Sequence, residues 1–153
     1  MALNGDRLVC GVIALLAIGG IAVSGYLTTV HYSDAPLVCS SGGVVDCERV
    51  LTSSYSEVMG LPWSLGGVVW FSVSGLLALM ALSRAPEPGW LHPAQLGWAL
   101  VGLAVALYLI GVEVVGVEKI CLWCSALHAL IGITLLLTLF RTPQLSEEAT
   151  ADR

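Results

Sequence analysis

The sequence predicts an all-α integral membrane protein: a four-transmembrane-helix bundle with an outer loop and a short interfacial helix. Of its 153 residues 57% are hydrophobic and only 11% charged, with a mean hydropathy of +0.89, too little polar surface to cover a soluble globule of this size. The apolar residues are gathered into four runs, and a helix of roughly 20 such residues crosses a bilayer. The runs lack sustained period-two alternation and outlast the strands of about 10 residues that build a membrane barrel, which excludes that class.

The first run, Leu8 to Val30, follows a short N-terminus (residues 1–7) and Arg7. It exceeds the apolar core of a secretory signal, about 7–15 residues, and lacks an A-x-A cleavage site, so it stays as a membrane anchor. Gly20 and Ser24, four apart, suit close contact with another helix. Cys10 reads as a small packing residue. The outer loop, residues 31–61, carries Asp34, Asp46, Glu48, Arg49 and Glu57 and the glycine-rich stretch Ser40-Ser41-Gly42-Gly43. A loop of this length is usually functional or disordered. Within it Val50 to Met59 is expected to form a short surface helix with Leu51, Tyr55 and Val58 on its apolar face.

Gly60-Leu61-Pro62 opens the second run, Pro62 to Leu82. The connection from Ser83 to Ala94 holds three prolines and a glycine, which end helices, and reads as a plain linker with Trp90 an interfacial aromatic. The third run is Gln95 to Val115, with Glu113 in its last turn, read either as reaching the interface or Lys119 or as a proton-transfer group. After a short turn, Gly116 to Lys119, the fourth run spans Ile120 to Phe140. The bundle domain is thus residues 8–140, and the polar, acidic tail, residues 141–153, is expected to be cytoplasmic and disordered.

An even number of spans puts both termini on one side. Arg7, Arg84, Arg141 and Arg153 share that side, against Arg49 and Lys119 opposite, which favours cytoplasmic termini and places the long loop on the outer face. Richness in alanine, glycine and valine is a compositional hint of a high-GC bacterium and no more; the expected location is a membrane crossed several times. The net charge of −5 and six scattered basic residues give no nucleic-acid-binding patch.

Cys39, Cys47, Cys121 and Cys124 all fall on the outer side or its boundary, where disulfide chemistry is permitted. On a helix, residues three apart share a face, so Cys121 and Cys124 can close and reopen a disulfide with little backbone movement. A helix N-terminus also favours the thiolate. Cys39 and Cys47 bracket a spacer of seven residues with two glycines, short and flexible enough to close a loop. Exchange between the two pairs is one reading. A structural staple in the loop and a four-thiolate zinc site are the others.

A Cys-x7-Cys loop pair, then Glu48-Arg49-Val50-Leu51-Thr52-Ser53, then Gly60-Leu61-Pro62, and finally a CxxC opening the last helix resemble the bacterial members of the vitamin K epoxide reductase family, over about Leu8 to Phe140. That resemblance implies a four-helix bundle around a quinone, either menaquinone or ubiquinone, as electron acceptor, and no metal. It implies that Cys124 is the quinone-proximal sulfur, Cys121 its exchange partner, Cys47 the residue that exchanges with Cys121, and Cys39 the one that meets external substrate. Ser53 then donates a hydrogen bond to substrate or sulfur, or is an ordinary turn hydroxyl. His128, Trp63 and Trp123 are candidate quinone contacts, with Trp70 beside them; bundle packing is the alternative for each. Because the chain ends soon after the fourth run, the implied electron donor is a separate extracytoplasmic thioredoxin-like disulfide oxidase, and the remaining partner is membrane lipid.

Other functions are compatible with parts of the pattern: a quinone or vitamin K epoxide reductase fed by small dithiols, and a non-enzymatic membrane scaffold stapled through its loop. The unrelated four-helix disulfide oxidase carries its CxxC in the first outer loop, the reverse of the order here.

Overall fold

The computed structural model describes residues 2–33, 37–39, 42–84 and 87–141. Four helices in it are long and apolar enough to cross a membrane: α1 (Ala2–Tyr32), α3 (Trp63–Ser83), α4 (Leu91–Gly111, continued by a π-helical segment Val112–Val117) and α5 (Leu122–Phe140). Between α1 and α3 lie a five-residue helix α2 (Cys47–Leu51) and a two-stranded antiparallel hairpin, β1 (Glu57–Val58) and β2 (Leu61–Pro62). Residues 142–153 of the expected tail, and Asp34, Ser40 and Ser41 of the loop, lie outside the described residues; Arg141, the first residue of that tail, belongs to the bundle.

α1 and α3 form the tightest pair, and small side chains are the reason. A Cβ at Gly20 would overlap the Phe71 ring, one at Gly67 would lie 2.6 Å from Ser24 Oγ, and one at Gly75 would lie 3.1 Å from the Ala17 side chain. Close backbone approach replaces the hydrophobic drive that lipid does not supply. Thr28 Oγ1, whose proton goes to the Ser24 carbonyl, shares a hydrogen bond with Ser64 Oγ at 2.9 Å across the same seam. α3 and α4 are joined by a reciprocal pair, in which Trp70 Nε1 donates to the Trp98 carbonyl and Trp98 Nε1 to the Trp70 carbonyl, each at 3.1 Å. Leu8, Leu15, Leu76, Leu107, Leu136 and Phe140 stand exposed on the outside of the bundle, as lipid-facing residues do.

Several boundaries differ from expectation. The short helix is not Val50 to Met59 but Cys47–Leu51: Asp46 Oδ1 caps it by accepting the Arg49 N–H at 3.0 Å. It stops because serine hydroxyls compete for the backbone, Ser53 Oγ donating to the Val50 carbonyl and Ser56 Oγ to the Ser53 carbonyl, each at 2.8 Å. Leu51, Tyr55 and Val58 therefore share no helical face. The chain instead turns at Met59 (φ 55°) and Gly60 (φ 79°), two successive left-handed residues that close a tight hairpin. The Ser56 carbonyl then accepts the Trp63 N–H at 3.1 Å, satisfying the first turn of α3.

The connection from Ser83 to Ala94 is not a plain linker. α4 starts inside it, at Leu91, because Pro93 falls in the first turn, where a backbone N–H has no helical acceptor to lose. Glu87 of the same connection is buried and pairs with Arg141, whose guanidinium also meets Gln95 Oε1 and, at 2.8 Å, Asp6 Oδ1. Arg141 is only 3% exposed. At the terminal end the bundle is therefore closed by a buried ion cluster drawn from α1, the connection, α4 and the end of α5.

Candidate functional site

At the opposite end the chain brings the cysteines together. Residues Val44 to Asp46 run beside the residue that precedes the CxxC: Ile120 N–H donates to the Val44 carbonyl at 3.0 Å, and Asp46 N–H to the Ile120 carbonyl at 3.1 Å. This short parallel bridge between Val45 and Ile120 sets Cys47 and Cys121 one step beyond paired backbone. Lys119 fastens it further by donating from Nζ to the Gly43 carbonyl at 2.7 Å. Cys47, Val50 and Cys121 form one buried cluster, with Cys39 and Cys124 packed against it. Cys39 and Cys47 are joined in a disulfide, while Cys121 and Cys124 are free thiols. Disulfide sulfurs are not thiolate ligands, so the four sulfurs in this state form no zinc site.

The two sulfurs of the CxxC sit in different surroundings. Cys121 is not a helical residue, as the i,i+3 pattern suggests, but the cap before α5. Its Sγ accepts the Cys124 N–H at 3.3 Å and is fully buried against the loop cluster. The neighbouring Cys124 thiol, and secondarily the Cys124 and Trp123 backbone N–H groups, hold the Cys121 thiol below its ordinary pKa, against the opposing effects of burial and the Glu113 charge. Cys124, three residues on, is half-buried and lines a cavity; Cys121 does not line it.

That cavity, of about 400 Å³, runs down the interior between α3, α4 and α5. Its wall is mainly apolar, with Trp63, Trp70, Phe71, Trp98, Leu127 and Ile131 carrying much of it, and its polar points include Ser53, Glu113, Cys124 and His128. Val69 on α3 and Val101 on α4 line it yet are 54% and 51% exposed, so it opens sideways between these helices. An apolar slot of this size with a few convergent polar groups suits a small aromatic ligand from the lipid phase. A quinone ring fits such a wall.

Among the candidate ligand residues, Trp63 lines the cavity with its ring 6.0 Å from that of Tyr108. His128 lies one turn below Cys124 and makes no hydrogen bond with any described residue. Ser53 is at the cavity rim, but its hydroxyl proton goes to the Val50 carbonyl, so in this arrangement it offers lone pairs and behaves as a turn hydroxyl. Trp123 is not brought to the cavity. Its Nε1 donates to the Val38 carbonyl at 2.9 Å and its ring meets Tyr26 at 5.4 Å, which holds the segment beside Cys39 down on the bundle.

Glu113 departs furthest from the simpler expectation. It neither reaches the interface nor pairs with Lys119. It is 5% exposed, its Oε2 accepts the Cys121 N–H at 3.2 Å, and its carboxyl interacts with the Cys124 thiol. The π-helical segment Val112–Val117 and the left-handed Glu118 (φ 56°) that ends it shape this stretch, with both the Glu118 and Lys119 N–H groups returning to the Glu113 carbonyl. A π segment of this kind is frequent at functional sites. Valine-rich sequence with one acid gave a faint signal for it: β-branched residues crowd an α-helical turn.

A model of the vitamin K epoxide reductase family matches residues 11–139, a stretch that holds all four cysteines of the site and every cavity residue named above.

Proposed function

Because the chain belongs to the vitamin K epoxide reductase family, and is therefore a membrane oxidoreductase, we propose that it oxidises the dithiol of a separate extracytoplasmic thioredoxin-like protein and delivers the electrons to a quinone in the bundle. The observation that carries the proposal is the division of labour among the sulfurs: a closed loop pair and an open CxxC share one buried cluster, and of the CxxC only Cys124 reaches the apolar cavity.

In this cycle the partner's thiolate attacks Cys39, opening the Cys39–Cys47 bond and releasing Cys47 as thiolate. Cys47 then attacks Cys121 of an oxidised CxxC, so a Cys47–Cys121 bond forms and the Cys121–Cys124 bond breaks. The partner's second thiol resolves its mixed disulfide with Cys39, leaving the partner oxidised and Cys39 as thiolate. Cys39 then attacks Cys47, re-forming the loop disulfide, breaking the Cys47–Cys121 bond and leaving Cys121 and Cys124 as thiols that carry two electrons and the two protons released by the partner. A bound quinone supplies the acceptor for both. The state with the loop disulfide closed and the CxxC reduced is then the one in which the inner pair is charged and the loop pair is ready for the next substrate. Trp63, Trp98 and Ile131, which line the cavity, would hold the ring, His128 would donate to a ring oxygen, and the apolar wall would keep water from the sulfur.

We place the cysteine end on the extracytoplasmic face of a bacterial cytoplasmic membrane, with both termini in the cytoplasm. Disulfides persist in oxidising compartments, and Arg7, Arg84 and Arg141 stand at the terminal end against Arg49 and Lys119 at the other.

The test mixes dithiol-reduced protein with menaquinone or ubiquinone analogues under anaerobic conditions and follows quinone reduction optically. Wild type is expected to turn over, and Cys124→Ala to lose turnover completely while still folding with its loop disulfide. A wild type without cysteine-dependent quinone reduction sinks the proposal and leaves a stapled membrane scaffold.

A further inference from the structure

Glu113 is a buried carboxyl with no ion-pair partner among the described residues; it accepts the Cys121 N–H and lines the same cavity as Cys124, so it stands beside both members of the reduced pair. Lys119, the nearest cation in sequence, is spent on the Gly43 carbonyl. An acid held inside a membrane bundle without a counter-ion is costly, and a polar but neutral side chain would accept the Cys121 N–H equally well. A structural role therefore does not explain why the residue is an acid. A place in the same cavity as a sulfur that must lose and regain a proton does.

We propose that Glu113 is the proton acceptor and donor for Cys124. When the electron pair leaves the dithiol, the Cys124 S–H bond breaks, its proton passes to the Glu113 carboxylate, and Cys121 and Cys124 close their disulfide. The proton goes on from Glu113 to the reduced quinone oxygen; the second proton of the pair comes from Cys121. In the exchange half of the cycle, Cys47 bonds to Cys121 and the Cys121–Cys124 bond breaks. The partner's dithiol releases two protons as it is oxidised: one is taken up by the Glu113 carboxylate, and Cys124, leaving as thiolate, takes it from there, while the other returns to Cys121. Each cycle thus moves one proton through Glu113 for each electron pair, in a site from which water is largely displaced.

The other titratable groups around this carboxyl are Cys121 and Cys124 at the start of α5, His128 one turn further, Tyr55 from the loop and His31 from the end of α1; no lysine or arginine lines the cavity. His31 is engaged with Glu57, at 3.1 Å. None of the others is a carboxylate bonded to the CxxC backbone and open to the cavity that Cys124 lines. The assignment rests on the proposal that the CxxC reduces a quinone, but one of its two readouts needs no quinone.

The first readout is infrared difference spectroscopy of the full chain in detergent, reduced by a dithiol and reoxidised by diamide. If Glu113 exchanges a proton with Cys124, the carboxyl C=O band changes with the redox state of the CxxC, shifts in heavy water, moves in Glu113→Asp and vanishes in Glu113→Gln. A spectrum without a redox-linked carboxyl band overturns the proposal, and so does one whose band survives Glu113→Gln. Should Glu113→Gln not fold, the band's displacement in Glu113→Asp decides, since a band unmoved there belongs to another acid. The second readout is quinone reduction by the reduced protein. Glu113→Gln keeps an oxygen for the Cys121 N–H and is expected to lower kcat about 10²–10⁴-fold with KM unchanged, to lose the acid limb of the pH profile, and to be partly rescued by Glu113→Asp. A Glu113→Gln enzyme with wild-type kcat refutes the assignment while leaving the quinone reaction intact. A wild type inactive with quinone but showing the carboxyl band refutes the quinone reaction and leaves the proton exchange standing.

Discussion

The two ends of the bundle treat buried polarity in opposite ways. At the terminal end Arg141 is enclosed by Asp6, Glu87 and Gln95, so each charge meets an opposite charge or a dipole and four segments are locked together. At the cysteine end Glu113 is as deeply buried but faces thiols and an open cavity. Close ionic pairing fixes charge and leaves little for a ligand or a proton to change; an unpaired acid beside reactive sulfur does the reverse. The comparison separates the part of the molecule that holds the helices in register from the part that does chemistry, and it predicts that damage at one end should be nearly silent in the assay of the other.

The largest expected effect is at the pinned end. Arg141→Met leaves the buried Glu87 carboxylate without its cation beside the partly exposed Asp6, a defect of about 3–5 kcal/mol for a broken buried pair. Thermal unfolding in detergent should show a correspondingly large loss, while kcat per folded molecule stays near wild type. A variant that unfolds normally but loses quinone reduction would erase the distinction between the two ends. Next in size is a change in the cavity wall. A Cβ at Gly66 meets no atom within 4 Å, and the residue lines the cavity. Gly66→Leu should therefore project into the space a quinone needs and raise its KM about 10-fold or more, the equivalent of about 1.4 kcal/mol. Its stability should be unchanged or slightly higher, from the better helix former. A KM that does not move would take the quinone out of this cavity.

The bundle and its cysteine order were legible in the sequence because each depends on a strong local signal: apolar runs of membrane length, and thiols at distinctive spacings. What escaped was set by pairing across the chain. Arg141 reads as an interfacial charge ending an apolar run, and Glu87 as one residue of a proline-rich connection; nothing local announces that they meet, with Asp6 from the other end of the sequence, in the interior. Glu113 was visible as an acid in the wrong place, but its direction depended on a π-helical segment, which rotates the side chain relative to ordinary helical spacing. Trp123 shows the converse placement. Its neighbour Cys124 faces the cavity, yet adjacent residues on a helix point apart, and the indole serves the loop.

The smallest effect concerns the sulfur that never reaches the cavity. Cys121 is held below the ordinary thiol pKa first by the Cys124 thiol and then by backbone N–H groups, with burial and Glu113 opposing. Cys124→Ala removes the first contribution and keeps the second, because alanine retains the N–H that reaches Cys121 Sγ. The Cys121 titration should therefore move upward, toward the ordinary thiol range, without recovering all of it. The sign follows from the species that is stabilised: both hydrogen bonds favour thiolate, so losing one leaves less thiolate at neutral pH. Ultraviolet thiolate absorbance of Cys124→Ala, taken as the difference from a Cys121→Ala, Cys124→Ala protein, measures that midpoint against the wild-type dithiol. An unchanged midpoint would mean that the backbone cap alone activates Cys121, and the CxxC would then be two independent thiols sharing a helix end. An upward shift makes the pair a single unit, with Cys124 activating the sulfur that faces the loop while itself facing the cavity.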